Sequence, residues 1–266
     1  MSYLPLTNTG EADVSKIAEI ASDNTALVVI CHASNVSGVI TDVSKAASVC
    51  RQRNIPLLLD AAQTVGIVDI ECEKWGAAVA FAGHKGLLGP QGTGAIYLPT
   101  GFNPKPLKSG GTGSNSESLT QPDLLPDRYE SGTANLPALA GLLAAVRFIV
   151  RTGQDKILEH ERWLATRLIE GLMNIKGVKV VCHDNINRTG VISFVIEGMD
   201  TSQTAEILDL EYKIATRAGL HCAPLAHICY GTIKTGTVRL SSGWFNTKKD
   251  IDKVLSAVSS LSTKGA

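Results

Sequence analysis

Three short apolar runs, each giving way to a polar residue at a turn, constrain this chain more than any other feature. Leu27-Val28-Val29-Ile30 leads toward Asn35, Ile55–Leu59 ends at Asp60, and Ala77–Ala82 ends at Gly83-His84-Lys85. Runs of about four to six aliphatic residues without polar alternation read as strands buried on both faces of a sheet. Helical spacing precedes the first run at Val14, Ile17, Ala18 and Ala21, and a second helix fits Ser44–Arg53 between the first and second runs. Strand, helix, strand in that order is a βαβ unit, which sets the strands parallel and gathers their carboxyl ends at one edge. Gly89-Pro90-Gln91-Gly92 is too short to hold a crossover helix, so Gly94–Leu98 is predicted to run antiparallel to its predecessor. The pattern predicts an α/β fold, a mostly parallel sheet with helices on both faces.

From Thr100 to Thr133 the chain turns to Gly, Ser, Asn and Pro without periodicity, a longer irregular segment than compact domains keep without a functional reason. We read it as a domain-crossing loop that helps to form a site. Pro137 stands where a first helical turn begins; Ile157, Leu164, Leu168 and Leu172 share one helical face, and Gly177 follows the stop. A long connecting helical region kinked near Gly153 is predicted. Val178–Val181, Gly190–Ile196, Thr201–Leu210, Tyr212–Arg217, Thr237–Ser241 and Thr247–Leu261 then read as strand, strand, helix, strand, strand and helix. The expected organisation is a large domain over 1–135, then a connecting helix and a small α+β domain over 136–266.

Charge narrows the partners. Lys plus Arg and Asp plus Glu number 25 each, so no net field draws the chain to nucleic acid or an anionic membrane. A small-molecule ligand is expected. The apolar stretch Leu142–Val150 is interrupted by Arg147 and too short to span a bilayer, and the first residues lack the pattern of a secretory signal, so a cytoplasmic location is expected. The six cysteines are scattered, which suits reduced thiols better than a disulfide framework. His221, Cys222, His227 and Cys229 crowd together, but their spacing matches no common zinc pattern, and no metal is expected.

Ligands of parallel α/β sheets sit beyond the carboxyl ends of the strands, where Asn35, Asp60 and Lys85 fall. A lysine closing a buried strand, beside His84 and glycines, would be partly desolvated and so a better amine nucleophile toward an aldehyde. Taken alone, Lys85 reads as an exposed loop lysine, and Asp60 as a helix cap. Together they supply what pyridoxal phosphate needs: an amine for its aldehyde and a carboxylate for its pyridinium nitrogen.

Leu59-Asp60-Ala61-Ala62-Gln63, Phe81-Ala82-Gly83-His84-Lys85-Gly86-Leu87-Leu88-Gly89-Pro90-Gln91-Gly92 and Arg217-Ala218-Gly219-Leu220-His221-Cys222-Ala223-Pro224 resemble signature segments of the class V aminotransferases, in the cysteine desulfurase and selenocysteine lyase branch. The resemblance extends over nearly the whole chain. It implies a homodimer of pyridoxal-phosphate fold type I that converts L-cysteine to L-alanine and passes sulfur to an acceptor protein. Lys85 would bind the aldehyde and move the α-proton, Asp60 would pair with the ring nitrogen, Asn35 and Gln63 would bond near the ring hydroxyl, and His84 would act beside Lys85 and touch the phosphate. Thr133 would reach the phosphate of a neighbouring subunit, and Arg239 would clamp the substrate carboxylate. Cys222 would be the nucleophile that takes the sulfur as a persulfide; considered alone, it reads as a small buried hydrophobe.

Two departures from the family pattern stand out. Ala82 occupies a position where many relatives carry a hydroxyl residue that bonds the phosphate. The phosphate-binding loop and ring-stacking histidine that relatives carry upstream have no counterpart before Leu27, so an N-terminally truncated form is expected. Other class V activities (selenocysteine lysis, aminotransfer, epimerisation) and an inactive dimerising fragment stand as alternatives.

Overall fold

A computed structural model describes residues 1–114 and 117–264; residues 115–116 of the long loop and 265–266 of the last expected domain lie outside the described residues. A 3-10 turn, Val14–Lys16, runs into α1 (Ile17–Ile20), and the first sheet follows: β1 (Val28–Cys31), α2 (Val43–Gln52), β2 (Leu57–Asp60), α3 (Cys72–Trp75), β3 (Ala77–Ala82) and β4 (Gly94–Tyr97). Its strand order is β1-β2-β3-β4. The first three strands are parallel and β4 is antiparallel to β3, as the lengths of the connections predict. In α2, Asp42 caps the N-terminus through a 3.0 Å bond from the Ser44 N–H. Val43, Ala46, Ala47 and Cys50, three and four residues apart, turn inward and pack with Ile30, Leu57, Leu59 and Val79 of the sheet.

Residues 100–135 contain no helix or strand among those described. Asn135 then caps α4 (Leu136–Thr152), with Pro137 in the first turn, where its missing N–H costs nothing. The predicted kink falls at Gly153: its φ of 93° suits glycine, and α4 meets α5 (Gln154–Met173) at 81°. No single helix among the described residues is long and apolar enough to cross a membrane.

The second sheet is antiparallel throughout, in the order β5-β6-β8-β7. It comprises β5 (Val178–Val180), β6 (Val191–Ile196), β7 (Arg217–Gly219) and β8 (Thr237–Ser241), with α6 (Thr201–Leu210), α7 (Pro224–Cys229) and α8 (Lys248–Lys264). Leu164, Leu168 and Leu172 of α5 and Ala257, Val258 and Leu261 of α8 bury themselves against Ile192, Phe194 and Val238. The strand predicted at Tyr212–Arg217 begins only at Arg217, because residues 211–214 are spent closing α6. Lys213 adopts φ 53°, and the N–H groups of Lys213 and Ile214 return to the carbonyls of Asp209 and Leu208. The short helices α3 and α7 are not among the predicted elements.

The segment after β1 joins the two sheets. Ile40 N–H donates to Asn187 O at 2.9 Å, Thr189 N–H to Gly38 O at 2.9 Å, and Ser193 Oγ to Val36 O at 2.6 Å. An acidic side chain is buried beneath this junction. Glu161 on α5 is 5% exposed, its one hydrogen bond among the described residues comes from the Gly190 N–H at 3.4 Å, and burial pushes it up to about 7. The folded chain therefore holds this proton where the unfolded chain has released it, so stability is fullest below the unfolded carboxylate value and is lost as pH rises through about 7. Glu161→Gln is expected to raise stability by about 1–3 kcal/mol at pH 8 and by almost nothing at pH 4, as thermal melts at the two pH values will show.

Candidate active site

Asp60, at the carboxyl end of β2, is exposed, and its Oδ1 accepts the N–H of Ala62 at 3.0 Å, a turn that fixes the carboxylate at the strand end. Lys85 follows β3 in the turn Gly83–Gly89, closed by Gly89 N–H to Gly83 O at 2.8 Å. This turn lies flat against the one after Asp60. A Cβ on Gly86 would stand 2.6 Å from Val65 O, so only glycine allows the approach. Cys31 lies opposite Asp60 in the β1–β2 register. Its outer face is exposed, yet the sulfur is crowded: burial pushes the thiol up to about 11, the Asp60 carboxylate adds to this, and Lys85 opposes it.

Two expectations change here. Lys85 is exposed rather than partly desolvated, as is His84 beside it, because the buried part of β3 ends before the turn and nothing in the described residues closes over it. The Asn35 side chain is not wholly free at the strand ends, since its Nδ2 donates to the carbonyl of His221 at 2.6 Å. Gln63 sits half-buried in the turn after Asp60. Thr133 is exposed in the long loop, and no hydrogen bond joins it to the other candidates among the described residues.

A second cluster stands across Asn35. Arg239 on β8 donates Nη1 to Asn35 O at 3.0 Å, while its Nε is buried without a partner. Arg217 on β7 lies directly opposite Arg239 in the strand register, and its Nη2 is 3.7 Å from the sulfur of Cys222. Burial, then the charge of Arg217, pull the Arg239 guanidinium below its ordinary value, and the Cys222 sulfur opposes them. Like charges paired across strands cost stability unless an anion lies between them. The pair and the orphaned Nε–H are suited in charge to a small carboxylate or an anionic sulfur. The sequence reading names Arg239 and Cys222 but passes over Arg217 as a site residue. Its signal, one more arginine on a neighbouring strand, has meaning only in the observed register.

The assembled groups suit pyridoxal phosphate: an exposed primary amine beside an exposed carboxylate at adjacent strand ends, with an unpaired guanidinium N–H on the far side of Asn35.

The chain matches the aminotransferase class-V family over residues 1–254, and it belongs to that family. Among curated relatives, it is 32% identical over 269 residues to a probable cysteine desulfurase of Pyrococcus abyssi and 33% identical over 249 residues to one of Methanothermobacter thermautotrophicus. These alignments take in 98% and 91% of this chain but 65% and 62% of those proteins, so the chain spans somewhat under two thirds of their length. Among solved structures, the apo cysteine desulfurase of Thermococcus onnurineus superposes with a TM-score of 0.88 at 32% identity, over 99% of this chain and 66% of that one. The fold is that of these enzymes, a mixed, mostly parallel sheet with helices.

If the arginine pair awaits an anion, Arg217→Gln should raise the melting temperature of the unliganded protein by about 1–2 °C, since a like-charge cross-strand pair costs up to about 1 kcal/mol. Millimolar L-alanine, a small carboxylate, should stabilise the parent but not Arg217→Gln, measured in paired thermal melts.

Proposed function

We propose that this chain provides the aldehyde-binding lysine and the sulfur-accepting cysteine of a pyridoxal-phosphate cysteine desulfurase, with L-cysteine as substrate and L-alanine as product. The observation that carries the reading is the bonding of Asn35, which stands between the Asp60 and Lys85 strand ends and the Cys222, Arg217 and Arg239 cluster. Desulfurase relatives at 32–33% identity add support.

When bound, pyridoxal phosphate supplies an electron sink for the substrate's α-carbon. Lys85 Nζ would hold the aldehyde carbon and then carry the α-proton, a task suited to an exposed, mobile amine. Asp60 would hold the pyridinium nitrogen, Gln63 and Asn35 would lie near the ring hydroxyl, and His84, with Thr133 of a second copy, would meet the phosphate. Arg239 would orient the substrate carboxylate through the N–H groups left unpaired, with Arg217 opposite. Cys222 is exposed and carries a guanidinium beside its sulfur, the setting in which a thiolate attacks the sulfur of cysteine. A persulfide on Cys222 would result, for transfer to an acceptor protein. We further assign residues 1–135 to the cofactor domain and 136–266 to the connecting helix and small domain, and we infer a homodimer at work in the cytoplasm.

Borohydride reduction in the presence of pyridoxal phosphate, followed by peptide mapping, is expected to label Lys85 and no other lysine, and Lys85→Ala is expected to remove the label. Labelling at a different lysine overturns the assignment. Cys222→Ser should keep the Lys85 label yet release alanine from L-cysteine at least about a hundredfold more slowly, a hydroxyl being a poor attacker of sulfur at neutral pH. Alanine release at the parental rate would instead favour a class V activity that does not use Cys222.

A further inference from the structure

His221 and Cys222 adopt consecutive positive φ angles of 51° and 60°, a left-handed turn that side-chain-bearing residues disfavour and that persists only where the surroundings enforce it. The enforcement comes through His221. Its side chain is 3% exposed, and Nε2 lies 2.9 Å from Thr237 Oγ1 and 3.2 Å from the Thr237 carbonyl on β8. Its own carbonyl receives Nδ2 of Asn35 at 2.6 Å, and the N–H of Ala223 returns to Leu220 O at 2.8 Å to close the turn. A carbonyl can only accept, so the proton of the neutral ring belongs on Nε2, leaving Nδ1 bare. Nδ1 is buried and without a partner.

The groups around the ring do not favour a second proton. His227 of α7, fully buried, lies with its ring 5.6 Å away at 41°; its Nδ1 is 2.7 Å from Thr232 Oγ1, and its Nε2 is likewise buried and unpartnered. Arg239 on β8 and Arg217 on β7 contribute positive charge, and Cys222 is the adjoining residue.

We propose that His221 is a positioning residue for Cys222: its neutral ring, donating from Nε2 to Thr237, holds the left-handed turn that sets the sulfur against Arg217, and charging the ring releases that turn. Burial first, then the charge of Arg239 and the presence of His227, hold the imidazole down to about 4, so the anchor is intact at neutral pH and fails only in acid. That Cys222 acts as the sulfur-accepting nucleophile rests on the reading above; its placement by His221 does not.

The test uses the whole chain without cofactor. Each protein is treated with 4,4′-dithiodipyridine, which reacts with thiols even in acid, and modification is mapped by mass spectrometry. Cys222 is followed relative to Cys229, which is also exposed, and buried Cys50 serves as a sentinel for global unfolding. At pH 7.5, His221→Ala is expected to lower the Cys222 to Cys229 rate ratio about three- to tenfold, as the sulfur leaves its cation. His221→Gln, whose amide can donate to Thr237 but cannot titrate, should keep the ratio within about twofold. In the parent the ratio should fall as pH drops through about 4 while Cys50 stays protected, and in His221→Gln it should not. Equal pH courses for parent and His221→Gln, or a glutamine variant that loses the ratio at pH 7.5, overturn the proposal, and both hold even if His221→Ala fails to fold. If the parent ratio behaves as expected but no persulfide forms on Cys222 with L-cysteine and pyridoxal phosphate, it is the desulfurase reading that fails.

Discussion

The side-chain amide of Asn35 donates to the carbonyl of His221, 186 residues further along the chain, and the Asn35 carbonyl receives Arg239. Around these two bonds, residues 36–40 lace onto β6 and the strand's approach through Val36, Gly38 and Ile40. Each contact spends a backbone group that a loop would otherwise leave to water. They help to tie together two sheets, each with its own apolar core.

The site is assembled from groups that the fold does not otherwise need. A stability-optimised sheet would not set Arg217 opposite Arg239, leave the Arg239 Nε buried without an acceptor, or string two left-handed residues together before α7. These features gather within one strand pair and its connecting turn, where an anionic ligand or a reactive sulfur would relieve or use each of them. His32 belongs to a different class. It is buried and held down to about 4 by burial alone, with its Nδ1 2.9 Å from Thr64 Oγ1 and its ring edge-on to Trp75, so it packs the underside of the first sheet.

Legibility in the sequence followed the range of the interactions. The strand β3, the helix α6 and the strand β8 are bounded by local signals: aliphatic runs that stop at Gly or Ser, and Asp200 accepting from Ser202 and Gln203 at the start of α6. The kink at Gly153 was readable because one glycine ends one helix and begins the next. The late start of β7 was not, because the capping turn at Lys213 draws on a backbone conformation that lysine does not advertise. Helix α7 carried a usable signal in Pro224 at its first turn, overshadowed by the cysteine two residues before it.

By itself, the sequence determined that parallel strands would end at Asp60 and just before Lys85, because strand length and the short turns that follow are set by neighbouring residues, and its motifs marked Cys222 and Arg239. Only the tertiary structure decided that Lys85 stands exposed, that Asn35 reaches across to His221, and that Arg217 faces Arg239 beside the sulfur. Exposure, strand register and hydrogen bonds between residues nearly two hundred positions apart depend on how separate elements pack, and no window along the chain contains that information.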